Sequence, residues 1–288
     1  MPRLDLKTSK KFYPNYYNNE KKQMEKFRQP FYHGKSTVLD WVPNDTEKEF
    51  EKHLSTYPDS PHLLEYKKNP IKYRLNNYGF RTDDDFFDGD EGTVYLGCSH
   101  TYGIGHHLEN VWAYKLHQKI GEGKFFNLSC GATGATSHYY FLKYFSDKLK
   151  IKKVYHFFPT EAHHRYGFMN EDGKIEVYAQ FFHNLGISQI PSLWKRYLIH
   201  PTYHNFHNDV YKGALKNLCN EIGCEYIIDE TSKIRYRKLG KLMGQTGLCD
   251  PYHKKKTSAR DLMHYYVEYQ HEVYEKFLML SNEKFTLI

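Results

Sequence analysis

The stretch Thr93-Val94-Tyr95-Leu96-Gly97-Cys98-Ser99-His100-Thr101-Tyr102-Gly103 decides the reading of this chain. A short run of β-branched and apolar residues ends at a glycine and gives way to a small polar loop, the pattern of a buried strand that stops abruptly. Downstream, Leu108, Trp112, Leu116 and Ile120 recur every four residues as one helical stripe. Phe125 to Leu128 reads as a second strand, Thr136 to Leu149 as an aromatic-rich helix and Lys153 to Phe158 as a third strand. Val210, Ala214, Leu218 and Ile222 repeat the helical spacing, Glu225 to Ile228 is a further strand, and Val273, Phe277 and Leu280 mark a final helix. The order βαβαβ, an irregular stretch, then αβα predicts an α/β fold: a short parallel sheet with crossover helices on its faces.

Upstream, residues 1–90 read differently. Prolines at 2, 14, 30, 43, 58, 61 and 70 interrupt every long helix except one over Asp45 to Leu54, and an alternating run from Ile71 meets an Asn-rich turn before Arg81, the pattern of a hairpin. The expected organisation is an irregular N-terminal appendage over 1–90, then a main domain over 91–288. Within that domain about 166–205 is an insertion, with a hairpin around Gly173 and an apolar run from Ile187 to Leu198. It reads as a lid or substrate wall and, equally, as an ordinary packing excursion or an oligomer contact.

At 288 residues and 40% hydrophobic content the chain can bury one sizeable core. Its wealth of Tyr, Phe, Lys and Asn is what AT-rich coding produces. The net charge of +7 is spread among acidic residues instead of gathered in a block, so no specific nucleic-acid partner is expected. Five cysteines (Cys98, Cys130, Cys219, Cys224, Cys249) lack Cys-x-x-Cys spacing and read as reduced thiols. The first residues lack an apolar signal core and no run approaches a membrane span, so a cytoplasmic protein without a membrane partner is expected.

Open α/β sheets place their binding crevice at the carboxyl ends of the strands. Ser99 follows the first strand directly, in a loop leading into a helix whose free N–H groups face developing negative charge. The spacing Gly97-x-Ser99-x-x-x-Gly103 is not the Gly-x-Ser-x-Gly elbow of α/β-hydrolases. A serine nucleophile needs a base and the base an orienting carboxylate. Asp261 and His264, three apart at a loop-to-helix junction, supply both on one face. Taken singly, Ser99 is a turn residue, Asp261 a helix cap, His264 an ordinary core or surface histidine. Their joint order on this pattern points to catalysis.

These residues carry a resemblance. Gly97-Cys98-Ser99-His100-Thr101-Tyr102-Gly103 resembles the first block of SGNH (GDSL-like) hydrolases, and Asp261-Leu262-Met263-His264 their closing Asp-x-x-His block. Asn127 to Gly134 is similar to the segment whose glycine N–H joins the oxyanion hole, a role that falls on Gly131 or else Gly134. The segment Tyr73-x-x-Asn76-x-x-Gly79-Phe80-Arg81 is similar to one that precedes this domain in uncharacterised members, phage-encoded ones included. The resemblance spans about Thr93 to Leu280 and implies a three-layer α/β/α flavodoxin-like fold. It further implies acyl-enzyme hydrolysis of small acyl groups on a glycan or lipid, with no cofactor and no metal. Trp194 and nearby tyrosines would suit stacking on a sugar ring.

Two positions depart from the family pattern. Cys98 stands where the GDSL name has Asp, and Glu161 stands near the position of an oxyanion-hole Asn, with Thr160, His163 or Arg165 as candidate substitutes. Losing one oxyanion donor costs about 10²- to 10³-fold in rate. The rival expectations are accordingly an inactive binding or structural module of the same fold, for example in a virus particle, and an O-acyltransferase using the same triad. His200, His204 and His207 have i, i+4, i+7 spacing for metal ligands, but Pro201 and its polar neighbours read as a loop entering a helix.

Overall fold

The computed structural model describes residues 36–42, 45–131, 133–158, 165–169, 175–179, 201–229, 259–262, 264 and 267–285. The N-terminal part has β1 (Thr37–Leu39), α1 (Glu47–Thr56), α2 (Pro61–Lys68) and β2 (Tyr73–Leu75). The Thr46 side chain accepts the Glu49 N–H and so caps α1, which lies two residues beyond its expected start. Helix α2 is an addition to the expected elements: Pro61 occupies the first turn, where no N–H is needed. The hairpin expected up to Arg81 is reduced to a tight turn. Asn76 Oδ1 accepts the N–H groups of Tyr78 and Phe80, a single bridge joins Leu75 to Arg81, and β2 pairs instead with β1, antiparallel.

Then follow β3 (Glu91–Gly97), the one-turn helix α3 (Ser99–Tyr102), α4 (Trp112–Ile120), β4 (Lys124–Ser129), α5 (Ala135–Ser146) and β5 (Lys150–Phe157). After these come the antiparallel pair β6 (Arg165–Met169) and β7 (Ile175–Ala179), α6 (Pro201–Glu221), β8 (Glu225–Asp229) and α7 (Val267–Phe285). Leu108 belongs to a separate 3-10 turn before α4. Helix α6 begins at Pro201 and includes His204 and His207, where a loop was expected; proline at the first helical position again explains the earlier start. The apolar run 187–198 lies outside the described residues.

Strands β4, β3, β5 and β8 form a four-stranded parallel sheet in that order, so the chain is of α/β class. Successive strand residues face opposite ways. Val94, Leu96, Phe126, Leu128 and Val154 pack under Phe141, Leu142 and Phe145 of α5 and Leu215 and Leu218 of α6. Tyr95, Phe125, Tyr155, Phe157 and Ile227 pack under Trp112 and Leu116 of α4 and Val273 and Phe277 of α7. Trp112 and Phe277 stack at 4.5 Å, and truncating either to Ala costs about 3–5 kcal/mol.

The connection β3 to β4 runs one way along the sheet and β4 to β5 crosses back over β3. The direction therefore reverses between β3 and β5, and the crevice at their carboxyl ends is where such sheets bind ligands. Residues from the expected appendage pack partly against the face of the sheet and partly against this end. Phe80 and Phe86 join the α5 side of the core, while Leu63, Ile71, Tyr73 and Leu75 enclose Tyr102, Ile104 and Leu262 in a third cluster.

Candidate active site

The turn that carries Ser99 forms because β3 stops at a glycine. A Cβ on Gly97 would lie 1.9 Å from Thr101 Oγ1, so a larger residue there excludes the close return of the chain. Cys98 precedes the first helical residue, its carbonyl accepting the N–H groups of Thr101 and Tyr102, and Ser99 accepts that of Gly103. The Ser99 N–H thus stands in the first turn, where a helix has no internal acceptor for it. Ser99 is buried to 6% exposure, and its hydroxyl contacts Cys98 Sγ at 4.0 Å.

The second half of the site is a turn. Asp261 Oδ2 lies 2.5 Å from His264 Nδ1, and Oδ1 accepts the His264 backbone N–H at 3.2 Å. A helical face was expected to bring these two together, but α7 starts only at Val267. The contact comes from Leu262, whose φ of +50° folds the chain back between them. A left-handed leucine costs about 1–2 kcal/mol. Burial of its side chain against Tyr73, Tyr102 and Ile104 at 1% exposure offsets that cost.

Burial pulls the His264 pKa down, but the adjoining Asp261 carboxylate and its hydrogen bond outweigh this and hold it above the ordinary histidine value. With Nδ1 given to Asp261, Nε2 is the nitrogen left for proton exchange.

The residues flanking Ser99 both bear on His264. The His100 ring lies 5.4 Å from the His264 ring, and Cys98 is among the groups that influence its ionisation. Gln270 of α7 donates to the His100 carbonyl and accepts the Trp112 N–H, so α7 is tied to both helices that follow β3. The hydrogen bonds of His264 go to Asp261, and that of the Ser99 hydroxyl to Cys98: Asp261 and His264 are joined, and Ser99 lies at the same sheet end without a direct bond to them. Gly131 sits in the loop after β4, where an added Cβ would lie 3.2 Å from Ile104 Cδ1. Gly134 is the residue preceding α5. Thr160, Glu161 and His163 lie outside the described residues, and Arg165 opens β6.

Several supporting residues escaped the sequence reading of the site. The Arg260 guanidinium, next to Asp261, is paired with Asp45 through Nε at 2.9 Å and Nη2 at 2.8 Å, both residues at 1% exposure. Tyr73 donates its hydroxyl proton to Asp45 and accepts the Gly105 N–H at 2.9 Å, while the Gly105 carbonyl accepts the Arg260 N–H at 2.9 Å. Buried Arg81 donates to the carbonyls of Tyr102, Gly103 and His106, closing the loop after α3. Asn127 holds the Thr101 carbonyl at 3.3 Å. Tyr73 and Arg81 are visible in the Tyr-x-x-Asn-x-x-Gly-Phe-Arg segment, but Asp45 and Arg260 carry no local signal.

Among the described residues no three His, Cys, Asp or Glu side chains gather as a metal-holding group, and no helix is long and apolar enough to cross a membrane. His200 lies outside the described residues, and His207 Nε2 is 3.3 Å from Thr136 Oγ1. No protein-family model matches the chain, and none of the curated proteins matches it.

Proposed function

We propose that this chain is a serine acyl hydrolase of SGNH type, with Ser99 as nucleophile, His264 as general base and Asp261 as its orienting carboxylate. The observation that carries the reading is the buried Asp261–His264 pair at 2.5 Å, set at the strand ends beside the turn that presents Ser99. The strand order β4-β3-β5-β8 supports the reading, since it corresponds to four of the five strands in the flavodoxin-like order that the resemblance implies.

In this mechanism His264 Nε2 takes the Ser99 proton as Oγ attacks an ester carbonyl carbon. The N–H groups of Ser99 and Gly131 hold the resulting oxyanion, and the imidazolium then protonates the departing alcohol as the acyl-enzyme forms. Water activated by the same imidazole cleaves the acyl-enzyme and restores Ser99. Small acyl esters on a glycan or lipid are the substrate class that the resemblance suggests.

The bond from Ser99 to Cys98 instead of His264 favours a second reading, an inactive module of the same fold; an O-acyltransferase would use the same residues with another acceptor. Catalytic hydrogen bonds in ligand-free sites are often long and tighten only with substrate. A fluorophosphonate probe separates the active and inactive readings, since it reports nucleophile activation without a choice of substrate. Covalent labelling of the wild type and none of Ser99→Ala is the expected result, with p-nitrophenyl acetate turnover following suit. Labelling that persists in Ser99→Ala, or is absent from both, sinks the hydrolase reading.

A further inference from the structure

Behind the nucleophile turn runs a chain of buried polar groups that the proposed mechanism does not use. Gly97, the last residue of β3, offers its carbonyl to His138 Nε2 at 3.0 Å and to the Thr133 hydroxyl at 3.1 Å. His138 Nδ1 is 3.0 Å from His156 Nε2, and His156 Nδ1 is 2.8 Å from the Tyr226 hydroxyl. Thr133, His138 and His156 are fully buried.

A carbonyl only accepts, and the Thr133 oxygen, 3.1 Å from Nε2, has its own proton turned to carbonyls, so the proton on this contact is assigned to His138 Nε2. In the neutral ring Nδ1 then accepts from His156 Nε2–H, which leaves His156 Nδ1 to accept from Tyr226. Burial and the neighbouring His138 both hold His156 well below the ordinary histidine pKa, consistent with a neutral ring. Every proton in the chain is thus directed toward Gly97, and the chain ends on a backbone oxygen that has none to pass on. Such an arrangement is a strut and not a proton relay.

We propose that His138, supported by His156 and assisted by Thr133, is a positioning residue that locks the Gly97 carbonyl and so aligns the Ser99 turn with the loop carrying Gly131. The geometry points there because the strut joins two separate loops. Gly97 is two residues before the nucleophile, whereas Thr133 and His138 begin the segment after Gly131, and the single Thr133 hydroxyl proton is shared between the Gly97 carbonyl at 3.1 Å and the Cys130 carbonyl at 2.7 Å. The two N–H groups proposed to hold the oxyanion are therefore set relative to one another through Gly97. A displacement of about 1 Å in such a site costs on the order of 10²-fold in rate.

This inference rests on the reading of Ser99 as nucleophile, and the test separates the two. Fluorophosphonate labelling rates and hydrogen exchange of the Thr101, Tyr102 and Gly103 amides are measured on wild type, His138→Leu and His138→Gln. Leu removes the donor; Gln can place an amide N–H where Nε2–H stood. His138→Leu is expected to label about 100-fold more slowly and to exchange faster at these amides. His138→Gln is expected to recover to within about tenfold of wild type, the scale of one neutral hydrogen bond.

Wild-type labelling and exchange in His138→Leu overturns the strut, as does a Gln variant no better than Leu. If Leu unfolds the chain, Thr133→Val keeps the side-chain shape and removes one donor: slower labelling and faster exchange are expected, and unchanged values overturn the proposal. If the wild type is not labelled at all, the hydrolase reading falls and exchange alone decides. Faster exchange in Leu with recovery in Gln supports the strut; unchanged exchange overturns it.

Discussion

Replacing Asp45 by Asn tests how the N-terminal segment supports the site. Asp45 and Arg260 are each at 1% exposure, and Arg260 donates to the carboxylate through Nε and Nη2 and to the Asp40 carbonyl through Nη2 at 2.7 Å. Its guanidinium also lies 4.0 Å from the Trp41 ring centroid. In Asp45→Asn one carboxylate oxygen becomes an NH₂ group facing another donor, and the Arg260 charge stays buried without its counter-ion. Breaking a buried pair in this way costs about 3–5 kcal/mol, whereas an exposed pair is worth at most about 1 kcal/mol. At about 2–4 °C per kcal/mol for a chain of this size class, Tm should fall by about 6–20 °C.

Urea unfolding followed by circular dichroism reads the loss. Combining Asp45→Asn with Arg260→Met removes the orphaned charge and is expected to recover much of it. A loss below about 1 kcal/mol, or a double variant less stable than Asp45→Asn, refutes the reasoning that these two charges are a desolvated pair. Because Arg260 N–H holds the Gly105 carbonyl and precedes Asp261, Asp45→Asn should also slow Ser99 labelling at temperatures where the protein is still folded.

Other perturbations probe the proposed triad directly. Ser99 labelling needs a neutral His264, whose pKa is raised, so the rate should climb with pH to a plateau with its midpoint above about 6.5, and Asp261→Asn should move that midpoint down. The same shift makes the Asp261–His264 pair stabilise the fold fully below the unfolded pKa of about 6.5, with the contribution fading as pH rises through the folded value; urea midpoints across this window check the sign. Gly105→Ala should reduce both stability and labelling, because Gly105 has φ +77° and an added Cβ would lie 2.9 Å from Asp261 Oδ1; wild-type behaviour in both would contradict the packing.

The four parallel strands, the helical stripes and the Asp-x-x-His pair were legible in the sequence because each is written in local spacing. Apolar periodicity marks which face of an element is buried, and two residues three apart need only a tight turn to meet. Local spacing did not say which turn: only in the folded chain does the left-handed Leu262, held by the third cluster, replace the expected helical face. The partners of that turn were hidden for a different reason. Asp45 and Arg260 are 215 residues apart, and the His138, His156 and Tyr226 chain draws on α5, β5 and β8. No periodicity encodes such pairings, since each depends on which side chains the sheet order brings to one end. The sequence by itself determined the parallel strands, their covering helices and the chemical groups of the candidate site; the tertiary structure decided what holds them, because burial leaves each of those polar groups to find its partner across the fold.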